Sequence, residues 1–160
     1  MPLRDEIALV TGASRGIGRA IALELGARGA TVVGTATSEA GATAIGEELE
    51  RQGVRGGGRV LDVADGASVE AVVASVQGEF GDPTILVNNA GVTRDNLLLR
   101  MKEAEWDEVI NTDLGSVYRM SRACLRGMMK ARRGRIINIA SVVGATGNPG
   151  QANYAAAKAG

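Results

Sequence analysis

Five short apolar runs, each followed by a longer segment, constrain the fold of this chain more than any other feature of its sequence. The runs are continuous, rich in β-branched residues and bounded by Gly, Asp or Pro, as in strands buried on both faces of a parallel sheet. They cover residues 7–10, 31–35, 59–63, 84–91 and 135–141. Segments with helical character cover residues 16–28, 39–52, 66–80 and 103–131. This alternation predicts a single domain over residues 1–160, with a doubly wound α/β sheet of parallel strands.

The segment 103–131 differs from the other predicted helices because its apolar residues occupy more than one face. One apolar face is enough to cover the sheet, so the second predicts packing against another subunit. We therefore expect a homo-oligomer.

Residues that are absent or rare exclude several kinds of chemistry. The chain has no histidine, which excludes a Ser-His-Asp triad and a histidine-based zinc site, and we predict no metal site. The one cysteine cannot form an internal disulfide, which favours a reducing compartment. The N-terminus lacks a signal-peptide pattern, and the uncharged stretch 136–157 is interrupted by Asn, Gln, Pro and Gly. We therefore expect a cytoplasmic protein that binds neither membranes nor nucleic acid.

A glycine-rich turn, VTGASRGIGRA at residues 10–20, follows the first predicted strand and opens the first helix. Gly12, Gly16 and Gly18 stand where a tight turn, close approach of the backbone to a pyrophosphate, and close helix–strand packing would need them. The helix N-terminus adds free N–H groups for phosphate. The spacing is G-x-x-x-G-x-G rather than the commoner G-x-G-x-x-G, and a tight turn without a ligand is the alternative interpretation. Its place between strand and helix favours a dinucleotide site.

The end of the second strand decides between NAD and NADP, because an acid there accepts a hydrogen bond from the ribose and repels a 2′-phosphate. Ala36 occupies the place of that acid. Thr37 and Ser38 offer hydroxyl donors, Ser14 and Arg15 lie in the glycine-rich turn, and Arg15 offers the positive charge that a 2′-phosphate needs. Glu39 is the alternative acid if the strand ends later. We predict NADP(H) as the cofactor.

Polar residues follow the remaining predicted strands. Asp62 lies at the end of the third, LVNNAG (86–91) puts two asparagines at the end of the fourth, and Ser141 closes the fifth. Tyr154 and Lys158, four residues apart, share one face of the next helix. Because ligands bind at the carboxyl ends of strands in open α/β sheets, we expect these residues along one rim.

Taken in order, these motifs resemble those of the short-chain dehydrogenase/reductase family. The residues that carry the resemblance are TGASRGIG (11–18), NNAG (88–91), Asn111, Ser141 and the Tyr154-x-x-x-Lys158 pair. ILVNNAGVTRDNLLLRM and GQANYAAAKAG are further similar to segments of bacterial 3-oxoacyl-[acyl-carrier-protein] reductases. The resemblance implies a Rossmann-type sheet with strand order 3-2-1-4-5. Family members continue beyond this point, so we expect the family's C-terminal strands to be absent from this chain.

The same resemblance implies NADPH-dependent reduction of a 3-oxoacyl-[acyl-carrier-protein] in fatty-acid synthesis. Tyr154 would donate its phenolic proton to the carbonyl oxygen, and Lys158 would stabilise the phenolate. Ser141 would hold the substrate carbonyl, and Asn111 would anchor a water chain that returns the proton through Lys158. The implied cofactor-binding residues are Gly12, Ser14, Arg15, Gly16, Ile17, Gly18, Thr37, Asp62, Val63, Asn89, Ala90, Gly91, Tyr154 and Lys158.

Charge is distributed unevenly, with eight Lys or Arg and no acid from Leu114 onward. This stretch is either a solvated helix face or a docking surface for an acidic partner. The resemblance favours acyl carrier protein as that partner, with Arg132, Arg133 and Lys130 as its contacts, and a homotetramer as the oligomer.

Two alternatives remain open on the sequence. Another short-chain reductase, acting on an acyl-CoA, a polyol or a steroid, would share every motif, and a non-catalytic nucleotide-binding fragment would share most of them. The helix bearing Tyr154 and Lys158 should begin near Gly150 and is too short to be stable alone. A polypeptide ending at Gly160 is therefore expected to self-associate through its fifth strand and to be inactive.

Overall fold

The computed structural model describes all 160 residues and contains one five-stranded parallel sheet. The strands are β1 (Ile7–Val10), β2 (Thr31–Ala36), β3 (Gly56–Val60), β4 (Ile85–Asn88) and β5 (Arg135–Asn138). Their order across the sheet is β3-β2-β1-β4-β5, which confirms the predicted topology. In the centre, Ala8 of β1 is in register with Val32 of β2 and Ile85 of β4.

Seven α-helices and one π-helical turn connect or follow the strands. They are α1 (Gly16–Ala27), α2 (Glu39–Arg51), α3 (Gly66–Glu79), α4 (Glu103–Val109), the π-turn (Ile110–Gly115), α5 (Ser116–Ala131), α6 (Val142–Thr146) and α7 (Ala152–Ala159). The predicted long helix at 103–131 is thus α4, the π-turn and α5 in succession. No helix combines the length and the apolarity needed to cross a membrane.

Two hydrophobic clusters cover the two faces of the sheet because successive residues of a strand point to opposite sides. Leu9 packs with α3 and α5 on one face, whereas Ala8 and Val10 pack with α1 and α2 on the other. Full burial of a Val or Leu side chain contributes about 1.5–3 kcal/mol, so these clusters supply much of the stability. They leave the carboxyl ends of the strands as the edge where loops meet.

The third strand differs from its prediction, because it covers Gly56–Val60 rather than 59–63. A Cβ on Gly56 would lie 1.7 Å from the carbonyl oxygen of Val32, and one on Gly58 would lie 1.8 Å from that of Ala42. Backbones approach so closely here that only glycine fits, and the apolar residues that follow enter the core after the strand has ended.

The fourth and fifth strands are shorter than predicted. Residues 89–91 leave the sheet after Asn88. Ser141 is the N-cap of α6, a helix that the sequence pattern did not predict. Both departures put predicted site residues in loops at the carboxyl edge of the sheet.

Candidate active site

The glycine-rich turn between β1 and α1 has a backbone that requires glycine. Gly12 and Gly16 have φ angles of +64° and +57°, in the left-handed region that favours glycine. A Cβ on Gly18 would lie 2.1 Å from the carbonyl oxygen of Gly12 and 2.4 Å from the side-chain nitrogen of Asn89. The turn is therefore packed so closely that a side chain at Gly18 would not fit.

The N-terminus of α1 has no side-chain cap. Its N-cap residue is Arg15, whose side chain makes no capping hydrogen bond, and no acid lies in the first turn. The first N–H groups of this 12-residue helix therefore face the glycine turn with the positive end of the helix dipole behind them. Ile17, in the same turn of the helix, is exposed. A cradle of this kind fits the phosphates of a dinucleotide.

Asn89 and Thr11 join the loop after β4 to the glycine turn. The Asn89 side chain donates to the carbonyl oxygens of Thr11 (3.1 Å) and Gly12 (3.0 Å). The Thr11 hydroxyl accepts from the backbone N–H groups of Asn89 and Ala90, both at 3.0 Å. Asn89 thus holds the cradle in shape with its side chain. Sequence analysis missed Thr11, although its place directly after β1 at the same edge was a usable signal.

The residues predicted to bind a 2′-phosphate lie directly after β2 and in the glycine-rich turn. Ala36 is buried, while Thr37, Ser14 and Arg15 are exposed. Glu39, the alternative acid, is the first residue of α2 rather than a strand-end residue. The strand-end position that would repel a phosphate therefore holds no acid.

The loop after β3 carries Asp62 and Val63. The Asp62 carboxylate accepts from the backbone N–H of Ala64 (2.9 Å), and the hydroxyl of Ser68 accepts from the N–H of Asp62 (3.0 Å). Val63 has its side chain in the core, and its carbonyl oxygen accepts from Arg119 (3.1 Å). Both residues shape this loop through local bonds, and the Asp62 side chain stays exposed.

Tyr154 and Lys158 lie on α7, where the ammonium nitrogen of Lys158 is 5.7 Å from the centre of the Tyr154 ring. The same nitrogen donates to the carbonyl oxygen of Ile139 at 2.9 Å. Both side chains are half-buried. The hydrogen bond to Ile139 therefore holds the lysine at the end of the sheet, beside the Tyr154 ring.

Ser141 lies at the N-terminus of α6, the helix that precedes α7. Its hydroxyl oxygen accepts from the N–H of Val143 at 3.2 Å, which caps α6, and the hydroxyl hydrogen remains available for donation. A Cβ on Gly144 would lie 2.8 Å from the carbonyl carbon of Lys158, so α6 packs directly against α7.

Asn111 is engaged elsewhere. It lies exposed in the π-turn, and both its side-chain oxygen and its carbonyl oxygen (3.1 Å) accept from Arg119. Arg119 in turn reaches Val63, so these contacts point to the loop after β3 rather than to α7. The structure does not bring Asn111 to Tyr154 through any hydrogen bond.

Asp113, two residues later, is a buried acid that the sequence analysis did not single out. It is 5 % exposed, one carboxylate oxygen accepts from the N–H of Val92 (2.7 Å), and the other is buried without a partner. Burial raises the pKa of this carboxyl, against the opposing effects of the Val92 hydrogen bond and of the charges of Lys158 and Arg94. The sequence signal for this buried acid was the position of Asp113 within an apolar helical stretch.

The predicted partner-binding residues lie at the C-terminal end of α5. Arg132 has a left-handed backbone (φ +52°) and, like Lys130, an exposed side chain. Arg133 is also exposed but donates to the carbonyl oxygen of Asp5 (3.0 Å) and pairs with Glu6 (3.5 Å). Arg133 therefore has partners within the chain.

A sequence model described as short chain dehydrogenase matches residues 6–160 of this chain. The chain belongs to the short-chain dehydrogenase family. The glycine cradle, the rim at the carboxyl ends of the strands and the Tyr154–Lys158 pair are thus features of a short-chain dehydrogenase.

Relatives of this short-chain dehydrogenase carry a common name. The chain is 64 % identical to the 3-oxoacyl-[acyl-carrier-protein] reductase FabG of Pseudomonas aeruginosa, over all of this chain and 65 % of that relative. It is 62 % identical to the FabG of Escherichia coli and 64 % identical to that of Vibrio harveyi, over all of this chain and 64 % of each relative. The chain thus spans slightly less than two thirds of the length of these relatives.

Proposed function

We propose that this chain forms the cofactor-binding and proton-donating part of an NADPH-dependent reductase of 3-oxoacyl-[acyl-carrier-protein], acting in fatty-acid synthesis. The observation that carries the proposal is the Lys158 ammonium, fixed 5.7 Å from the Tyr154 ring on the same edge of the sheet as the glycine cradle. The names of the relatives, all 3-oxoacyl-[acyl-carrier-protein] reductases, support the choice of substrate.

The glycine cradle fits a dinucleotide because its turn has left-handed backbone at Gly12 and Gly16 and because the N-terminus of α1 is uncapped. Gly12, Gly16 and Gly18 would bring the backbone to the pyrophosphate, while Arg15 and Thr37 would hold the 2′-phosphate. NADPH, when bound, supplies the hydride that reduces the carbonyl carbon.

On the protein side, Tyr154 would give its phenolic proton to the substrate oxygen as negative charge develops there. Lys158, held by Ile139, would stabilise the phenolate that remains. The free hydroxyl hydrogen of Ser141 would be donated to the same oxygen. Asn111 was predicted to lead the proton back through Lys158. That role stays a prediction for Asn111, whose side-chain oxygen accepts a hydrogen bond from Arg119.

An acidic carrier protein would meet the basic end of α5. Arg132 and Lys130 are exposed there and form no salt bridge within the chain, so they are better contacts than Arg133. The second apolar face of α5 exposes Tyr118, Leu125 and Met129, which supports a homo-oligomer, with a tetramer as the proposed form. A cytoplasmic location agrees with a single, buried and unpaired cysteine.

The two tyrosines of the chain offer a matched test, since each can be changed to Phe with loss of one hydroxyl only. NADPH oxidation is measured in a chain extended to the length of its relatives, with 3-oxoacyl groups on carrier protein and on CoA, beside NADPH binding by fluorescence. We expect Tyr154→Phe to lower turnover by about 10²–10⁴-fold with cofactor binding intact, and Tyr118→Phe to change neither. If the unmodified chain binds NADPH without turnover, it has a non-catalytic nucleotide-binding role instead. If it prefers CoA substrates, it is an acyl-CoA reductase.

A further inference from the structure

Asn153, the residue before Tyr154, has the lowest exposure of the buried polar residues, 0 %. Its side-chain nitrogen donates to the carbonyl oxygens of Arg94 (2.9 Å) and Glu105 (3.1 Å). Its side-chain oxygen accepts from the N–H of Tyr154 at 2.8 Å. Both donor hydrogens and the acceptor of the amide are thus in use in a site without water access.

These three bonds join segments that are far apart in the sequence. Arg94 lies in the irregular connection between β4 and α4, and Glu105 lies in the first turn of α4. Two bonds nearer the surface run between the same parts: the N–H of Asn96 donates to the carbonyl oxygen of Gly150 (2.9 Å), and the Gln151 side chain donates to Asp95 (3.2 Å). Asn153 provides the buried connection in this set.

The start of α7 depends on such outside contacts for two reasons. A helix of eight residues is too short to be stable by itself. The N–H of Tyr154 lies in its first turn, where backbone donors have no partner within the helix. By accepting from that N–H, the Asn153 side chain fixes the backbone from which the phenol projects.

We propose that Asn153 is a positioning residue for the Tyr154 phenol, setting its place relative to the connection 94–105. This inference rests on the proposed reductase function. Asn153 touches neither the phenol nor the reacting atoms and acts through the first turn of α7. Since a misplacement of about 1 Å can cost about 10²-fold in rate, loss of the amide should appear in kcat.

Two substitutions at Asn153 distinguish the donor hydrogen bonds of its amide from the acceptor hydrogen bond. Asn153→Ala removes all three bonds. Asn153→Asp keeps the size and the acceptor for Tyr154 but sets a second oxygen against the carbonyls of Arg94 and Glu105. The matched control is Asn148→Ala, which removes an exposed asparagine in the preceding loop that bonds only to Gln151 (2.8 Å).

The assay, made in a chain extended to the length of its relatives, is NADPH-dependent reduction of a 3-oxoacyl substrate, with kcat and the KM for NADPH taken separately. We expect both Asn153 variants to lose about 10- to 100-fold in kcat with a KM for NADPH within about 2-fold, and the control to keep both values. Val76→Ala, a change in the fully buried core of α3, reports the effect of lost stability alone. A kcat for the Asn153 variants no lower than that of Val76→Ala would overturn the proposal.

Hydrogen exchange of the backbone amides gives a second readout that needs no turnover. Compared with the unmodified chain, we expect Asn153→Ala to exchange faster at residues 94–106 and 152–158, with little change in α3. Asn153→Asp takes its place if the alanine variant does not fold. Unchanged exchange in these two segments would overturn the proposal even if the unmodified chain is inactive. Inactivity of the unmodified chain would count against the proposed function alone.

Discussion

The ammonium group of Lys158 donates a hydrogen bond to the carbonyl oxygen of Ile139 at 2.9 Å. Ile139 is the first residue after β5, and its N–H is already bonded to the carbonyl oxygen of Asn88. The lysine therefore connects α7 to the end of the sheet while its charge stays near the Tyr154 ring. One side chain thus has a structural and an electrostatic task.

Lys158→Met tests both tasks, because it keeps an aliphatic side chain and removes the charge. We expect turnover to fall by more than about 10²-fold and the free energy of unfolding to fall by about 1.5–3 kcal/mol, the range for hydrogen bonds to charged groups. Turnover and denaturant unfolding are measured beside Lys102→Ala, an exposed lysine on α4's N-terminal side. Normal turnover in Lys158→Met would refute the role of its charge.

NADPH should be preferred over NADH through Arg15 and Thr37. Arg15→Ala and Thr37→Asp are both expected to weaken NADPH binding by about 10-fold or more, since each removes a charge-assisted or polar contact to the 2′-phosphate. Thr37 is a better place for the acid than buried Ala36. Arg19→Ala is the control, because Arg19 pairs with Glu48 at 3.2 Å. Equal affinities of the unmodified chain for the two cofactors would contradict this prediction.

Gly18→Ala should damage the cofactor cradle directly. Its Cβ would meet the backbone of Gly12 at 2.1 Å, so we expect a loss of about 1–3 kcal/mol or more in stability and little NADPH binding. The same change at Gly66, the first residue of α3, meets no atom within 4 Å and should leave binding unchanged. Thermal unfolding with and without NADPH measures both effects.

Asp113 should make stability depend on pH. Its pKa is raised in the folded chain, mainly by burial, so the folded state holds the proton more tightly than the unfolded state does. Stability is then greatest below the ordinary range of an aspartate and falls as the pH rises from that range through the raised pKa. We expect Asp113→Asn to melt higher than the unmodified chain at neutral pH, with the difference shrinking as the pH is lowered. Asp107→Asn, an exposed change on α4, should show no such trend.

The sequence by itself determined the architecture. Runs of β-branched residues and the intervening helical segments are local patterns, and they predicted the parallel sheet, while the resemblance to the family implied its strand order. The glycine-rich turn could also be predicted from the sequence, because Gly12 and Gly16 adopt positive φ angles that favour glycine. The spacing of Tyr154 and Lys158 likewise predicted two side chains on one helix face.

Tertiary structure alone decided which residues from distant segments contact each other. The third strand falls on glycines because the backbones of β2 and α2 come too close for side chains, a contact that no local pattern records. Asn111 and Asp113 stand two residues apart in the π-turn, yet one bonds to Arg119 at the surface and the other is buried against Val92. Asn153 gains its bonds from residues 48 and 59 positions away. Periodicity assigns a residue to a face, but its partners follow from packing between distant segments.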